Sequence, residues 1–150
     1  MKFRDYLLES ETVQPKTKEE LRAVIDNTIR ENGNNCSLNF IDVTRVTDMS
    51  KLFYNMKKFN GNISKWDVSR VTDMSEMFSG AESFNQNISK WNVSNVKNFS
   101  RMFYDAKSFN QNLEKWNVSD DAIMQDYLFK NSPLDRKQPG WYKNRTEEDL

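Results

Sequence analysis

The sequence predicts an α/β solenoid, a right-handed coil of about four 25-residue strand–helix repeats between two terminal caps. The string that begins at Ile63 recurs at Ile88 with most residues unchanged, and recurs in weaker form at Leu38 and Leu113. Each copy alternates apolar and polar residues briefly, and then places apolar residues at steps of three and four. A helix of about two turns is unstable alone, so each repeat needs a neighbour to cover it.

This self-similarity divides the chain into an N-terminal helical cap, four repeats, and a C-terminal cap with a tail. The cap covers residues 1–37, the repeats 38–62, 63–87, 88–112 and 113–137, and the C-terminal cap and tail 138–150.

The N-terminal cap contains the clearest predicted helix, over residues 17–32. Thr17 and Glu20 form a capping box, and Gly33 stands where a left-handed helix end is expected. A shorter helix is predicted over residues 3–9. We expect this amphipathic cap to cover the core edge of the first repeat.

Within a repeat, Trp66-Asp67-Val68-Ser69 predicts a short strand with Trp66 and Val68 directed inward. The apolar residues from Val71 to Phe78 predict a two-turn helix on one face. Thr72 or Asp73 is placed to cap it. The predicted core columns are Trp66, Trp91 and Trp116; Val68, Val93 and Val118; and Phe53, Phe78 and Phe103.

The polar Asn and Gln residues that end each repeat predict a turn held by amide hydrogen bonds. Calcium prefers several carboxylates, so a calcium site is disfavoured.

After the last repeat, Trp141 and Tyr142 are expected to fold back over it. The segment 130–145 carries five basic residues and one acidic residue and could touch nucleic acid, but Glu147, Glu148 and Asp149 offset it. A solvated cap is the favoured interpretation.

The string N-I-S-K-W-[DN]-V-S-x-V-T-[DN]-M-S-x-M-F-x-x-A-x-x-F-N-Q resembles the BspA-like leucine-rich repeat, also called the Mycoplasma lipoprotein repeat. It matches at 62–86 and 87–111, and less fully at 38–61 and 112–129. The resemblance implies a parallel-sheet solenoid used for binding, in bacterial and protist surface proteins and in some phage-encoded proteins. The resemblance implies no catalytic residues. The short chain is expected to be a standalone member, and a phage-encoded protein is one form of that expectation.

The amino-acid composition excludes several classes of function. The apolar fraction is only 37%, but 13% aromatic residues argue against disorder. The 22 basic and 22 acidic residues cancel, which gives no overall basic field for nucleic acid. There is no His, and Cys36 is the single cysteine, so a disulfide within the chain and a cysteine zinc site are excluded. We expect no enzyme activity, no cofactor and no metal site.

The predicted binding surface is the outward face of the predicted sheet, where three lysines form a column of like charge. Such a column could receive an acidic partner surface; a solvated face that resists aggregation is the alternative. The residues are Lys65, Asp67 and Ser69; Lys90, Asn92 and Ser94; Lys115, Asn117 and Ser119; and Asp42 from the first repeat.

The sequence therefore predicts a non-catalytic protein–protein interaction module, one form of which is a phage or mobile-element protein acting on a host protein. No apolar run could span a membrane and no secretory signal is evident, so we expect a cytoplasmic protein, with an extracellular or virion-associated location as the alternative. A surface adhesin or carbohydrate-binding fragment stays open if the Trp column is exposed. A self-assembling structural protein also stays open, although a monomer is expected.

Overall fold

A computed structural model describes residues 12–125 and 127–145 of the chain. Its helices are α1 (Lys18–Asn32), a 3-10 segment (Pro133–Asp135) and the short α2 (Gly140–Lys143). No β-strand occurs within these residues. Isolated parallel bridges join Val13 to Ile41, Asp48 to Asp73, Asp73 to Asn98, and Asn98 to Ile123.

The predicted α/β solenoid of strand–helix repeats is therefore wrong, and the leucine-rich-repeat architecture with it. The alternating segment is a series of tight turns. The Asp67 carboxylate accepts the backbone N–H of Ser69 at 3.0 Å, and the N–H of Val71 donates to the carbonyl of Val68 at 2.9 Å. Such side-chain bonds to the backbone two residues on compete with an extended strand.

The predicted helix is absent because its middle residue has left-handed backbone geometry. Glu76 has φ 55°, and Lys51 and Arg101 at the equivalent positions have φ 59° and 57°. A right-handed helix cannot pass through such a residue. The N–H of Met74 accordingly bonds to the carbonyl of Asn98 at 2.9 Å, in the next repeat, and not to a carbonyl within a helix.

Each repeat forms one layer of a stack, and backbone hydrogen bonds join neighbouring layers. The N–H groups of Met49, Met74 and Phe99 donate to the carbonyls of Asp73, Asn98 and Ile123 at 2.9, 2.9 and 2.8 Å. Donor and acceptor lie 24 residues apart along the chain. The repeat length therefore fixes the register between layers.

The core consists of aromatic side chains stacked from layer to layer. The rings of Phe53 and Phe78 lie 5.4 Å apart, those of Phe78 and Phe103 5.7 Å, and those of Phe103 and Phe129 5.8 Å, all nearly parallel. Trp66, Trp91 and Trp116 are each only 4% exposed. Val68 and Val93 are buried in the same core, whereas Val118 is only partly buried.

The indole N–H groups add a second set of contacts between layers. The Nε1 atoms of Trp66, Trp91 and Trp116 donate to the carbonyls of Leu38, Ile63 and Ile88 at 2.9, 3.2 and 3.0 Å. Trp141 continues this column: it donates to the carbonyl of Leu113 at 2.8 Å and stacks on Trp116. Trp141 thus extends the tryptophan column beyond the fourth layer.

Helix α1 begins and ends where the sequence predicts. The Thr17 hydroxyl accepts the N–H of Glu20, and Gly33 ends the helix with φ 88°. Leu21 and Ile25 are fully buried against the first layer. The predicted helix over residues 3–9 and the predicted tail 146–150 lie outside the described residues.

Because Val93 is fully buried, Val93→Asp should unfold the chain: a carboxylate placed in this column has no partner. The matched control is Asn92→Asp, which adds the same charge one residue earlier at an exposed position. Thermal unfolding followed by circular dichroism should show loss of the transition for the first variant and little change for the second. A Val93→Asp protein with the melting temperature of the wild type would contradict the assigned register.

Glu76→Gly should be more stable than Glu76→Ala, because glycine adopts the left-handed backbone without steric cost. Both variants lose the same carboxylate, so the comparison isolates the backbone. We expect a difference of about 1 kcal/mol in unfolding free energy, measured by urea denaturation. Equal stabilities, or a more stable alanine variant, would contradict the left-handed geometry.

Candidate interaction surface

The three lysines of the predicted face occupy one position in three successive layers and are all exposed. Each lysine directly precedes a buried tryptophan whose indole N–H is bonded to the previous layer. Because the tryptophan side chain is fixed in the core by this hydrogen bond, the lysine before it is directed to the surface. We call Lys65, Lys90 and Lys115 the lysine column.

The members of the lysine column form no ion pair within residues 12–125 and 127–145, whereas three other lysines are each paired with a carboxylate in an adjacent layer. Lys107 Nζ lies 3.1 Å from Glu82 Oε1, Lys97 Nζ lies 3.0 Å from Asp121 Oδ1, and Lys51 Nζ lies 3.9 Å from Glu76 Oε1. The lysine column thus places like charges next to each other.

Two carboxylates border the lysine column in the first two layers. The Asp42 carboxylate accepts both the hydroxyl and the N–H of Thr44, at 2.6 and 2.9 Å, and these bonds lower the pKa of Asp42. Hydrogen bonds from Ser69, chiefly from its hydroxyl, lower the pKa of Asp67 in the same way. Both groups are therefore ionised at neutral pH.

The third and fourth layers carry amides where the first two carry carboxylates. Asn92 accepts the N–H and hydroxyl of Ser94 at 3.1 and 2.6 Å, and so preserves the turn without a charge. In the fourth layer the Ser119 hydroxyl instead donates to Asp121, and Asn117 remains exposed. The face therefore changes from mixed charge at Lys65 to positive charge at Lys90.

The serines of the predicted face have a structural role. Ser69, Ser94 and Ser119 are half-buried, and their polar groups bond to neighbouring Asp or Asn side chains. They shape the turns that present the lysines. The surface open to a partner is thus formed mainly by the lysine column and the side chains of Asp67, Asn92 and Asn117.

The predicted amide turn is confirmed at the other side of each layer. Asn60 Oδ1 accepts the backbone N–H of Asn85 at 2.9 Å and the Nε2 group of Gln86 at 3.0 Å. Asn85 repeats both bonds with Asn110 and Gln111. The side-chain amides of adjacent layers thus hydrogen-bond to one another and to the backbone.

Sequence reasoning missed a row of tyrosines with adjacent cations. Lys51 lies over the Tyr54 ring at 5.4 Å, Arg101 over Tyr104 at 5.8 Å, and Lys130 over Tyr127 at 5.2 Å. Tyr54 and Tyr127 are 39% and 59% exposed. The spacing of three residues between cation and tyrosine was visible in the sequence and could have identified these pairs.

The described residues contain neither a metal-binding cluster nor a membrane-spanning helix. No three His, Cys, Asp or Glu side chains converge as they would around a metal ion. No helix there has the length and apolar character needed to cross a lipid bilayer.

Asp67→Asn should reduce the sensitivity of the fold to acid. The lowered pKa means that ionised Asp67 contributes stability above its ordinary pKa of about 4, and that this contribution is lost as the pH falls through the lowered value. Asparagine is tolerated at this position in the next layer. Urea denaturation between pH 2 and 7 should show a flatter acid limb for the variant.

Ser69→Ala provides the complementary test, because it removes the hydroxyl that lowers the pKa of Asp67. The pKa of Asp67, followed by carboxyl carbon chemical shifts, should rise in this variant. An unchanged pKa would contradict the assigned hydrogen bond.

Comparison with known proteins assigns the chain to a family. Searches of curated proteins and of solved structures find no match. A family described as "Mycoplasma protein of unknown function, DUF285" matches residues 20–141, which include most of α1, the four stacked layers and Trp141. The chain therefore belongs to this DUF285 family.

Proposed function

We propose that the protein is a non-catalytic interaction module that receives an acidic surface of a partner protein on the lysine column. The observation that carries the proposal is the contrast in charge pairing. Lys51, Lys97 and Lys107 each face a carboxylate in an adjacent layer, whereas the lysine column has no carboxylate partner among the described residues.

An unpaired column of like charges slightly disfavours the folded chain. Each pair of neighbouring lysines costs a few tenths of a kcal/mol at an exposed surface. Carboxylates of a bound partner would offset this repulsion, because they would lie close to two lysines at once. Such complementarity raises the association rate and makes binding sensitive to salt.

Asp42 and Asp67 make the charge uneven along the lysine column. They place negative charge beside Lys65, whereas Asn92 leaves Lys90 without it; beside Lys115, Asn117 is neutral but Glu114 precedes the lysine. An acidic partner is therefore attracted most strongly to the third layer. This asymmetry distinguishes the proposal from simple non-specific attraction to a basic patch.

The buried Trp column gives no support to the carbohydrate-binding alternative. Trp66, Trp91 and Trp116 are 4% exposed and use their indole N–H groups inside the stack, so they offer no ring face to a sugar. A phage or mobile-element protein acting on a host protein is one form of the proposed module. Membership among the BspA-like proteins would agree with a binding role.

Reversing the charge of Lys65, Lys90 and Lys115 together to Glu should abolish partner binding and leave folding intact. The tagged protein would be used to isolate an acidic partner from lysate, and the dissociation constant would then be measured with purified components at several salt concentrations. We expect affinity to fall at least tenfold in the variant and to fall with rising salt in the wild type.

The matched control reverses Lys16, Lys57 and Lys58, which are also exposed and lie outside the lysine column. It changes the net charge equally and should bind like the wild type. Equal loss of binding in both triple variants would show a net-charge effect and contradict the assigned surface, as would unaffected binding in the lysine-column variant.

A further inference from the structure

The backbone hydrogen bonds between layers have a direction. In the second layer, the N–H groups of Met74, Glu76, Phe78 and Gly80 donate to the carbonyls of Asn98, Ser100, Met102 and Tyr104, at 2.8 to 2.9 Å. The first layer donates to the second in the same pattern. The first and second layers thus each offer four N–H groups to an extended run of alternate carbonyls in the layer that follows, and the third layer donates to the fourth through Phe99, Phe103 and Asp105.

The fourth layer has no such run to donate to among the described residues. Its equivalent donors are the N–H groups of Met124, Tyr127, Phe129 and Asn131, and none of them has a hydrogen-bond acceptor in residues 12–125 or 127–145. The carbonyls of Ile123, Leu128 and Lys130 are already bonded to the third layer. N–H groups along an unpaired edge are available to carbonyls of another chain.

The other end of the stack is closed. Arg22 of α1 donates to the carbonyl of Leu52 at 2.9 Å, and Lys18 donates to Ser50 Oγ at 2.9 Å. The cationic side chains of α1 thus occupy acceptors of the first layer. The Leu52 carbonyl, which a fourth layer would need as an acceptor, is thus already bonded to Arg22, and this opposes stacking of a second copy in the same register.

The C-terminal segment covers only part of the fourth layer. Trp141 stacks on Trp116, and Arg145 donates to the carbonyls of Ser119, Asp120 and Ala122. Beyond this corner Ile123 and Tyr127 are 47% and 59% exposed. In the first three layers the position of Ile123 is held by Asp48, Asp73 and Asn98, so an apolar side chain occurs there only in the fourth layer.

We propose that this open end of the fourth layer, formed by the backbone of residues 124–125 and 127–131 with the side chains of Ile123 and Tyr127, binds an extended peptide segment of a partner protein. About seven residues with alternate carbonyls would accept the N–H groups of Met124, Tyr127, Phe129 and Asn131, as residues 98–104 do for the second layer. Apolar side chains of the segment would cover Ile123 and Tyr127. Main-chain bonds supply affinity and side chains supply specificity in such strand-addition complexes. This surface is distinct from the lysine column.

A peptide with the sequence of residues 72–81 tests the proposal, because this segment already follows another layer in the stack. Labelled with fluorescein, it should bind the full chain saturably in fluorescence anisotropy. Ile123→Asp should weaken binding roughly tenfold, because it adds charge at the contact. The matched control is Asn98→Asp, which adds charge at the same position one layer deeper, and a scrambled peptide controls for composition.

Amide hydrogen exchange provides an independent measurement on the wild type. In the free protein the amides of Met124, Tyr127, Phe129 and Asn131 should exchange much faster than those of Met74, Glu76, Phe78 and Gly80, and the peptide should slow them. Slow exchange in the free monomer would show that the chain itself covers this end, and would overturn the proposal. Protection that appears only with a concentration-dependent dimer, no saturable binding, or equal binding of the scrambled peptide would also overturn it.

Discussion

The backbone hydrogen bond between layers is the constraint on which the rest of the molecule depends. Its donor and acceptor lie 24 residues apart at Met49, Met74 and Phe99, so the repeat length must be kept for the rings to stack 5.4 to 5.8 Å apart. The fourth layer shows how the constraint is met when the length changes. One additional residue between Ile123 and Leu128 moves the stacked ring from position 128 to Phe129, and Trp141 again lies 25 residues after Trp116.

Stacking in register also governs the surface, because residues at the same position of successive layers become neighbours. Opposite charges in such neighbours attract, as at Glu82 and Lys107, and amides pair, as at Asn60 and Asn85. The lysine column instead places three like charges at one position of successive layers, and this is the basis for the proposed binding role. The direction of the hydrogen bonds between layers has a second consequence, because the donors of the last layer have no acceptor layer among the described residues. The lysine column and these donors thus both follow from a single repeat geometry.

Sequence patterns identified α1 and the core columns except at Val118, which is only partly buried, because capping residues and repeated apolar positions are local and visible. They failed on the secondary structure within a repeat. In Trp66-Asp67-Val68-Ser69 the side chains alternate between core and solvent as they would in a strand, although Asp67 closes a turn on Ser69. Glu76 is an ordinary helix former, and nothing in its identity marks a left-handed backbone. The recurring Asp-x-Ser and Asn-x-Ser triplets were the available turn signal. The fourth-layer donors could not be predicted, because they depend on which repeat has no successor.

Scalar couplings across hydrogen bonds, measured by NMR on the uniformly labelled chain, test the layered arrangement most directly. The amide nitrogens of Met49, Met74 and Phe99 should couple to the carbonyl carbons of Asp73, Asn98 and Ile123, while the amides inside α1 couple to carbonyls four residues earlier. Couplings of Met74 or Met77 to carbonyls four residues earlier would restore a helix in each repeat and contradict the layered turns described here.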